Sequence, residues 1–392
     1  MRFPEFTEEW KAEQLDNIAT LSKGIGISKE QLSEDGEPCI LYGELYTKYK
    51  SEIIKQVESK TDINGSKLKR SKANDVIIPC SGETAVDIAT ARCVPFDNIL
   101  FGGDLNVISL HQYDGAFMSY QLNGKRKYDI ARVAQGVSIV HLYGEHLKAI
   151  KTYNPTLPEQ QKIAKLLSLL DDRIDTQNKI IEKLQSLIKG LNDNIHKGIK
   201  GETVCFSDLG EAYSGLSGKG GDDFGYGEPF ITYMNVYQNT YISEKDYELV
   251  QIAPNEKQNS VQYGDALFTL SSETPEEVSI GAVYLGNTQK LYLNSFCFGI
   301  HFYDERVLPQ YLAHFISSSS FRRAIYPLAQ GSTRFNLQKN DFMKMKFLLP
   351  SLEKQGHIAN TLDALHCRLA NEKSLTEQYI LLKKYLLSLM FI

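Results

Sequence analysis

Residues 158–196, PEQQKIAKLLSLLDDRIDTQNKIIEKLQSLIKGLNDNIH, decide the fold. Their apolar side chains recur in alternating steps of four and three, and Gln177 is the one polar residue on the stripe. A repeat of about 3.5 residues is the pattern by which one helix supercoils against another. Pro158 suits the first turn of a helix, and Glu159 suits its positive end. The stripe comprises Ile163, Leu167, Leu170, Ile174, Ile181, Leu184, Ile188, Leu191 and Ile195.

A helix of this kind, roughly 58 Å long, needs a partner with a matching stripe, and the same chain supplies one. Aligned on Pro155 and Pro350, the two segments match without a gap. One stripe alone would indicate an ordinary core-facing helix, but two in register favour paired long helices. The second stripe comprises Ile358, Leu362, Leu365 and Leu369, then, on a slightly rotated phase, Leu375, Tyr379, Leu382, Leu386 and Leu389.

The repeat extends upstream of both helices. Residues 36–46 correspond to 227–237, residues 75–84 to 265–274, and Ala134-Gln135-Gly136 to Ala329-Gln330-Gly331. The offset drifts by a few residues, as expected where loops vary between stable elements. We therefore predict a globular domain at 1–154, a long helix at 155–198, a second similar domain at 199–349 and a second long helix at 350–392. With mixed α and β signals in both domains, the fold class is α+β with an internal pseudo-two-fold repeat.

Composition restricts the function classes. The chain has 392 residues and a formal net charge of −5, so any DNA-binding face must be local. Its six cysteines form no CxxC pair and no cluster with histidine, which is typical of reduced, buried thiols in a cytoplasmic protein. The sequence predicts neither a signal peptide nor a membrane span.

Local patterns predict several features of the domains. Apolar runs at 38–42 and 75–79 predict strands, and Gly102-Gly103 predicts a turn between two strands. The lysine-rich stretch 51–75 indicates a solvated surface excursion, with a phosphate-facing loop as the alternative. The glycine-rich stretch 214–229 lacks the spacing of a P-loop and is predicted to be a flexible loop.

No pattern of catalysis is present. Asn154-Pro155 is followed by Thr156-Leu157 instead of an NPPY-like tetrad, and P-loop, HExxH and GxSxG motifs are missing. His141 and His146 are expected to be loop or surface histidines. The paired carboxylates at 171–172 and 222–223 indicate solvated groups. Two similar domains on a helical spacer therefore predict a non-catalytic recognition protein with two binding surfaces.

The order of segments resembles the specificity subunit of type I restriction–modification systems. The likeness rests on the helices LPEQQKIAKLLSLLDDRI at 157–174 and LEKQGHIANTLDAL at 352–365, on the variable domain before each helix, and on the Gln-Gly-Ser-Thr-Arg loop at 330–334. It covers essentially the whole chain. The first repeat departs from it, because Val137-Ser138-Ile139 stands where the second has Ser332-Thr333-Arg334, so contacts of that arginine are not expected there.

The resemblance implies two target-recognition domains, each recognising one half of a bipartite site in double-stranded DNA. It implies that the two long helices form an antiparallel coiled coil that sets the half-site spacing and binds two modification subunits. Those subunits would hold S-adenosylmethionine, while this chain would hold no cofactor or metal. Restriction subunits with nuclease and translocase activity would join the full complex. Half-sites about one helical turn apart, roughly 34 Å, suit domains held apart by a stiff element.

Contacts to bases or phosphates are expected from polar and aromatic side chains at equivalent places in the two domains. For each, the alternative is a core tyrosine or a capping hydroxyl, and Glu44 either accepts from cytosine N4 or caps a turn. In the first domain the candidates are Tyr42, Glu44, Tyr46, Thr47, Lys48, Ser81 and Thr84. In the second they are Tyr233, Asn235, Tyr237, Ser271, Thr274, Ser332, Thr333, Arg334 and Asn336.

Two other function classes compete with this interpretation. A coiled-coil adaptor would present two similar domains to protein partners and would show no salt-dependent affinity for DNA. A stand-alone DNA-modifying enzyme is disfavoured because its motifs are missing.

Overall fold

The structure is a computed structural model that describes residues 2–391. The chain divides into two compact units. The first unit runs up to Lys179 and includes the residues from Ser374 onward, and the second runs from Ile180 to Lys373. Each unit therefore contains one globular domain together with parts of both long helices.

The globular part of the first unit is built on an antiparallel sheet of strand order β2-β10-β6-β8 and a smaller sheet of order β4-β3-β9-β5, in which β3 and β9 are parallel. The strands are β1 (Lys11–Gln14), β2 (Ala19–Lys23), β3 (Glu37–Ile40), β4 (Lys60–Thr61), β5 (Lys69–Arg70), β6 (Asp75–Pro79), β7 (Ser81–Gly82), β8 (Arg92–Val94), β9 (Leu100–Phe101), β10 (Leu105–Leu110), β11 (Val140–His141) and β12 (Lys151–Asn154). The helices are α1 (Leu15–Ile18), α2 (Glu44–Thr47), α3 (Ala85–Ile88), α4 (Gly115–Asn123), α5 (Lys127–Val133), α6 (Gly144–Lys148) and the long α7 (Leu157–Lys197).

The second unit repeats this architecture, with an antiparallel sheet of order β14-β21-β17-β19 and a smaller sheet of order β16-β15-β20. Its strands are β13 (Glu202–Cys205), β14 (Gly210–Ser214), β15 (Phe224–Ile231), β16 (Tyr247–Val250), β17 (Ala266–Thr269), β18 (Ser271–Ser272), β19 (Gly281–Val283), β20 (Tyr292–Leu293), β21 (Cys297–Phe302), β22 (Ala329–Gln330), β23 (Phe335–Leu337) and β24 (Lys346–Leu349). Its helices are α8 (Phe206–Leu209), α9 (Tyr233–Gln238), α10 (Pro309–Ser317), α11 (Ser319–Ile325), α12 (Lys339–Met343) and the long α13 (Leu352–Met390).

Strand pairing confirms the internal repeat. The parallel pair β3–β9 has its counterpart in β15–β20, and the closing pair β1–β12 has its counterpart in β13–β24. Antiparallel and parallel pairs thus recur in the same order in both units. The predicted α+β class with a pseudo-two-fold repeat is therefore confirmed.

The strands predicted at 38–42 and 75–79 are present as β3 and β6, and the Gly102-Gly103 turn links β9 to β10. The prediction of a flexible loop at 214–229 is wrong in its second half, which forms β15. This strand bulges between Phe224 and Glu228 where both oppose Val250. Gly225 and Gly227, with φ of 100° and 103°, supply the left-handed backbone that the bulge requires.

Cysteine burial follows the prediction only in part. Cys39, Cys80, Cys93 and Cys297 are buried, but Cys205 is half-buried and Cys367 is exposed on α13.

The long helices are antiparallel within the first unit. Ile163 and Leu167, near the start of α7, pack with Met390 and Phe391 at the end of α13 and with Phe117 of α4. In the second unit the contacts run between the end of α7 and the start of α13, where Leu191 and Ile195 pack against a core containing Ile358, Ala359 and Leu362. Each domain thus packs against a local pair of helical segments.

The predicted seam faces inward with two exceptions. Leu382 and Leu389 are exposed, because the stripe of α13 rotates further near its end than the heptad pattern indicates. Buried seam residues are Ile163, Leu167, Ile188, Ile358, Leu362 and Leu369. Half-buried ones are Leu170, Ile174, Ile181, Leu184, Leu191, Ile195, Leu365, Leu375, Tyr379 and Leu386.

A buried glutamine fixes the first turn of each long helix. Gln160 accepts from the Asp114 N–H at 2.9 Å and donates to the Pro155 carbonyl at 2.8 Å. Gln355 likewise accepts from the Leu308 N–H and donates to the Pro350 carbonyl, each at 2.8 Å. Both glutamines therefore join the start of a long helix to the residues just before α4 or α10.

We expect Gln355→Met to lower the free energy of unfolding by about 1–3 kcal/mol, because it leaves a buried N–H and buried carbonyls without partners. Lys354→Met, at an exposed neighbouring position, is the matched control and should change stability by less than about 0.5 kcal/mol. Urea unfolding of the full chain measures both. Equal losses in the two variants would contradict a role for the buried amide.

Different polar groups occupy the interior of the two units beside the helices. In the first unit, Lys383 Nζ lies 2.6 Å from Asp171 Oδ1, and Tyr120 donates to Asp171 at 2.6 Å, so the prediction of a solvated group is wrong for Asp171. In the second unit, His314 Nε2 lies 2.7 Å from Asp363 Oδ1, and Tyr241 donates to the same carboxylate at 2.7 Å. The repeat thus preserves the backbone and the buried glutamines, whereas these other polar groups beside the helices differ between the units.

Three histidines of the second unit make its stability dependent on pH. Burial lowers the pKa of His314, His196 and His366, with the Asp363 carboxylate opposing the shift at His314. The unfolded chain therefore takes up protons that the folded unit does not, and stability is lost as pH falls below the ordinary histidine pKa of about 6.5.

The urea concentration at the midpoint of unfolding of the full chain should decrease as the pH is lowered from about 7.5 to about 5.5. His314→Gln should make this fall smaller, because it removes one group whose proton uptake differs between the two states. His357→Gln, at an exposed histidine of α13, should leave the fall unchanged. Carboxylates contribute to this decrease in the wild type and in both variants, so comparing the decrease between proteins cancels their contribution. An unaltered decrease in His314→Gln would contradict the assignment of the pH dependence to His314.

Candidate nucleic-acid interface

A concave surface recurs at the same place in each unit. In the first unit it lies between α2, β7 and the loop before β11, and we call it groove A. In the second unit it lies between α9, β18 and the hairpin loop before β23, and we call it groove B. Groove A is lined by Tyr42, Gly43, Tyr46, Thr47, Ser81, Gly82, Glu83, Asp87, Ser138 and Ile139. Groove B is lined by Tyr233, Met234, Tyr237, Ser271, Ser272, Glu273, Glu277, Phe296 and Arg334.

Tyrosine hydroxyl groups bridge the walls of both grooves. Tyr46 donates to the Ser81 carbonyl at 2.9 Å, and Tyr233 donates to the Ser271 carbonyl at 2.8 Å. Tyr237 stacks on Tyr233 with ring centroids 6.0 Å apart and donates to Glu277 at 2.8 Å. Burial raises the pKa of Tyr46 and Tyr233, and the bond to Glu277 raises that of Tyr237, so all three phenols stay protonated at neutral pH.

Two predicted contact residues lie inside the protein. Glu44 is 6% exposed, accepts from the Leu41 N–H at 3.0 Å and also accepts from the Ser59 hydroxyl. Asn235 is 2% exposed, donates to the Ser243 carbonyl at 2.8 Å and accepts from its N–H at 3.0 Å. The burial of both side chains contradicts their predicted role as DNA contacts. Their hydrogen bonds hold neighbouring backbone groups in place instead. Of the two roles open to Glu44, turn capping is the one observed.

Three further candidates are held by local interactions. Thr84 caps α3 by accepting from the Asp87 N–H at 3.1 Å. Thr47 donates to the backbone carbonyl four residues earlier at 3.1 Å, and Lys48 lies 2.7 Å from the buried Glu44 carboxylate. Thr274 precedes a single helical turn without capping it. Thr84 therefore acts as a capping hydroxyl, which was the alternative to a DNA contact. Thr274 does not cap, and its side chain is exposed.

The loops beside the grooves share one tight turn. Gly136 and Gly331 have φ of 127° and 140°, and a Cβ on either would lie 2.1 Å or 2.0 Å from the carbonyl oxygen three residues later. Only glycine fits this turn. Beside groove B, the loop and the first residues of β23 expose four predicted contacts, whose side chains make no hydrogen bond or ion pair within residues 2–391: Ser332, Thr333, Arg334 and Asn336.

The corresponding loop of groove A is apolar at its tip. Val137 is 97% exposed and Ile139 60% exposed. At the position equivalent to Asn336 stands His141, which stacks near Tyr143 with ring centroids 6.3 Å apart. None of these residues is among the predicted contacts, although continuing the 134–139 and 329–334 alignment by two residues pairs His141 with Asn336.

Other groove residues were also missed. Glu83 and Asp87 in groove A, and Glu273 and Glu277 in groove B, are carboxylates at equivalent places. Phe296, exposed at the groove B wall, follows β20 and carries no periodic signal. The Glu83–Glu273 match was visible in the repeat and was the signal that could have found the carboxylates.

The lysine-rich stretch is partly engaged inside the first unit. Lys55 lies 2.7 Å from Asp172 and 2.6 Å from Asp175 of α7, and Arg70 pairs with Glu37 at 2.6 Å. The structure therefore supports a structural surface role for these two cations over a phosphate-facing one. Residues 2–391 contain no helix long and apolar enough to cross a membrane and no cluster of histidine, cysteine or acidic side chains arranged for a metal ion.

The family model for the type I restriction modification DNA specificity domain matches the chain twice, over residues 7–186 and 201–378. The chain belongs to this family. The suspected resemblance is confirmed, and the function is DNA sequence recognition as a specificity subunit. The adaptor alternative is not supported.

Similar proteins span nearly the whole chain. The type I restriction enzyme MjaVIII specificity subunit of Methanocaldococcus jannaschii is 23% identical over 416 residues, covering 98% of this chain and 92% of that protein. The S subunit of a type I restriction–modification system from M. genitalium has a TM-score of 0.58 at 14% identity, covering 100% of this chain and 97% of that one. A chain from a type I R-M system studied for complex assembly and conformational transition gives a TM-score of 0.61 at 14% identity. The match covers 98% of this chain and 97% of that one. These likenesses establish the shared fold.

Gly331→Ala should weaken binding of the specificity subunit to its DNA site by about tenfold or more, because strain of about 1–3 kcal/mol would displace the groove B loop. Gly190→Ala is the matched control, since Gly190 lies in α7 where an added Cβ would meet no neighbouring element within 4 Å, and it should leave binding unchanged. Fluorescence anisotropy with a labelled duplex measures the affinity. Unchanged affinity in Gly331→Ala would contradict a place for this loop in the interface.

Proposed function

We propose that each unit recognises one half of a bipartite site in double-stranded DNA through its own groove. The observation that carries this proposal is the recurrence of the same concave surface, between equivalent helix, strand and loop, in both halves of one chain. A repeated backbone with different linings suits two half-sites of different sequence. The predicted contacts that line the grooves or stand exposed beside them remain the candidates for base and phosphate recognition.

The long helices are proposed to set the spacing between the half-sites and to bind two modification subunits. An antiparallel helix pair is stiff, and its outward faces stay available to partners after the seam is buried. Exposed apolar residues on these helices, including Leu169 and Leu381, support such a surface.

Catalysis and cofactor are proposed to lie outside this chain. Specificity subunits of this family are in general not catalytic, and S-adenosylmethionine would be held by the modification subunits. Restriction subunits would join the complex in the cytoplasm. This chain would supply the sequence recognition that directs both activities to one site.

The decisive experiment is single-molecule methylome sequencing of a host without this activity that expresses the chain with its modification subunit. We expect a new bipartite methylated motif. Exchange of residues 233–336 for those of another specificity subunit should change one half of the motif and leave the other half intact. Exchange of residues 42–141 is the matched control and should change the opposite half.

The absence of any new motif, despite a stoichiometric complex, would contradict the proposed function. A change in both halves from one exchange would contradict the assignment of one half-site to each unit.

A further inference from the structure

Arg334 differs from every other arginine of the chain. Ten of the eleven arginines make side-chain contacts: six pair with carboxylates, three donate to backbone carbonyls and one donates to a tyrosine hydroxyl. The guanidinium of Arg334 makes no hydrogen bond or ion pair with any residue from 2 to 391. It is exposed at the wall of groove B, where five N–H donors are left for an external acceptor.

The surroundings of Arg334 favour a base edge over a phosphate as that acceptor. Glu273 and Glu277 line the same groove, and two carboxylates repel the phosphate backbone. The same carboxylates are suitable acceptors for the exocyclic amino groups that bases present in the major groove. Groove B therefore has the donor and acceptor chemistry of base recognition.

We propose that Arg334 recognises a guanine in the half-site bound by the second unit, donating from its planar fork to guanine O6 and N7. Arginine fits this pair of acceptors with two parallel hydrogen bonds from a rigid fork, whereas lysine reaches both acceptors only from one flexible, strongly hydrated nitrogen. The inference rests on the proposed function, because it assumes that groove B faces the DNA.

The repeat extends the inference to the first unit. Ile139 stands where Arg334 stands, after the same glycine turn, and is 60% exposed at the wall of groove A. An exposed aliphatic side chain carries no hydrogen-bonding group, and the apolar feature of the major groove is the thymine methyl. Ile139 therefore contacts a thymine in the half-site bound by the first unit, so this one equivalent position distinguishes the two half-sites.

The test uses the complex with its modification subunit and compares methylated motifs of the wild type, Arg334→Ile and Arg334→Lys. In Arg334→Ile, one G·C position of the second half-site should lose about 10- to 100-fold of its selectivity, while every other position keeps its base. Arg334→Lys should keep only part of that selectivity, because one flexible nitrogen replaces the rigid fork. Arg323→Ile, which removes an exposed arginine outside the groove, should leave the motif unchanged.

A binding measurement isolates the contacted atom. Replacing the guanine by 7-deazaguanine removes N7 alone, so it should weaken binding of the wild-type complex about tenfold and leave Arg334→Ile unaffected. Ile139→Arg should abolish the preference for thymine at one position of the first half-site.

Three results would overturn the inference. The second half-site could contain no G·C pair, or Arg334→Ile could leave the motif intact. Alternatively, Arg334→Ile could weaken methylation uniformly while Arg334→Lys restores it, which would identify a phosphate contact. Each requires a wild-type bipartite motif, whereas failure of the proposed function would appear as no motif at all.

Discussion

The buried glutamine at the start of each long helix is the constraint on which the rest of each unit depends. Gln160 and Gln355 satisfy backbone groups on both sides of the junction between helix and domain, so the helix cannot rotate without leaving buried polar atoms unpaired. The residues that they hold lie just before α4 and α10, and α10 packs in turn against the strands of the main sheet. Strand β17 of that sheet runs almost directly into β18 at the wall of groove B. The position of the groove is therefore set by a continuous path of hydrogen bonds and packing that starts at the long helix.

The repeat preserves this path and changes what is placed on it. Both loops use the same glycine turn, but one presents Ile139 and the other Arg334. Beside the helices, a lysine–aspartate pair in one unit is replaced by a histidine–aspartate pair in the other. Backbone features survive because they satisfy obligatory hydrogen bonds, whereas the exposed side chains of the groove loops contribute little to stability and are free to differ. A duplicated scaffold can thus carry two unrelated specificities without altering its fold.

The sequence predicts the long helices and the duplication because both are periodic signals that extend over many residues. It does not predict the burial of Glu44 and Asn235, because their partners at Ser59 and Ser243 come from loops whose paths depend on tertiary packing. The strand at 224–231 escapes prediction for a related reason, since its glycines serve a β-bulge that indicates a loop when only composition is considered. The groove carboxylates were missed because single acidic residues are far more often solvated than functional. Comparing the two halves of the chain residue by residue is the one sequence signal that distinguishes them.

The charge of the chain bears on how affinity and specificity are divided within the complex. Non-specific attraction to DNA comes from neutralised phosphates and needs clustered cations. Here the formal net charge is −5, both grooves carry carboxylates, and most arginines are already engaged by the protein. A chain of this kind gains little by binding arbitrary DNA, so the base-edge contacts proposed for its grooves would weigh heavily in the choice of site. Phosphate contacts that supply overall affinity would then fall to the partner subunits, which act on whichever site this chain selects. Separating recognition from affinity in this way allows the specificity to change by substitutions in two small grooves, while the helical surface proposed to bind the partners stays the same.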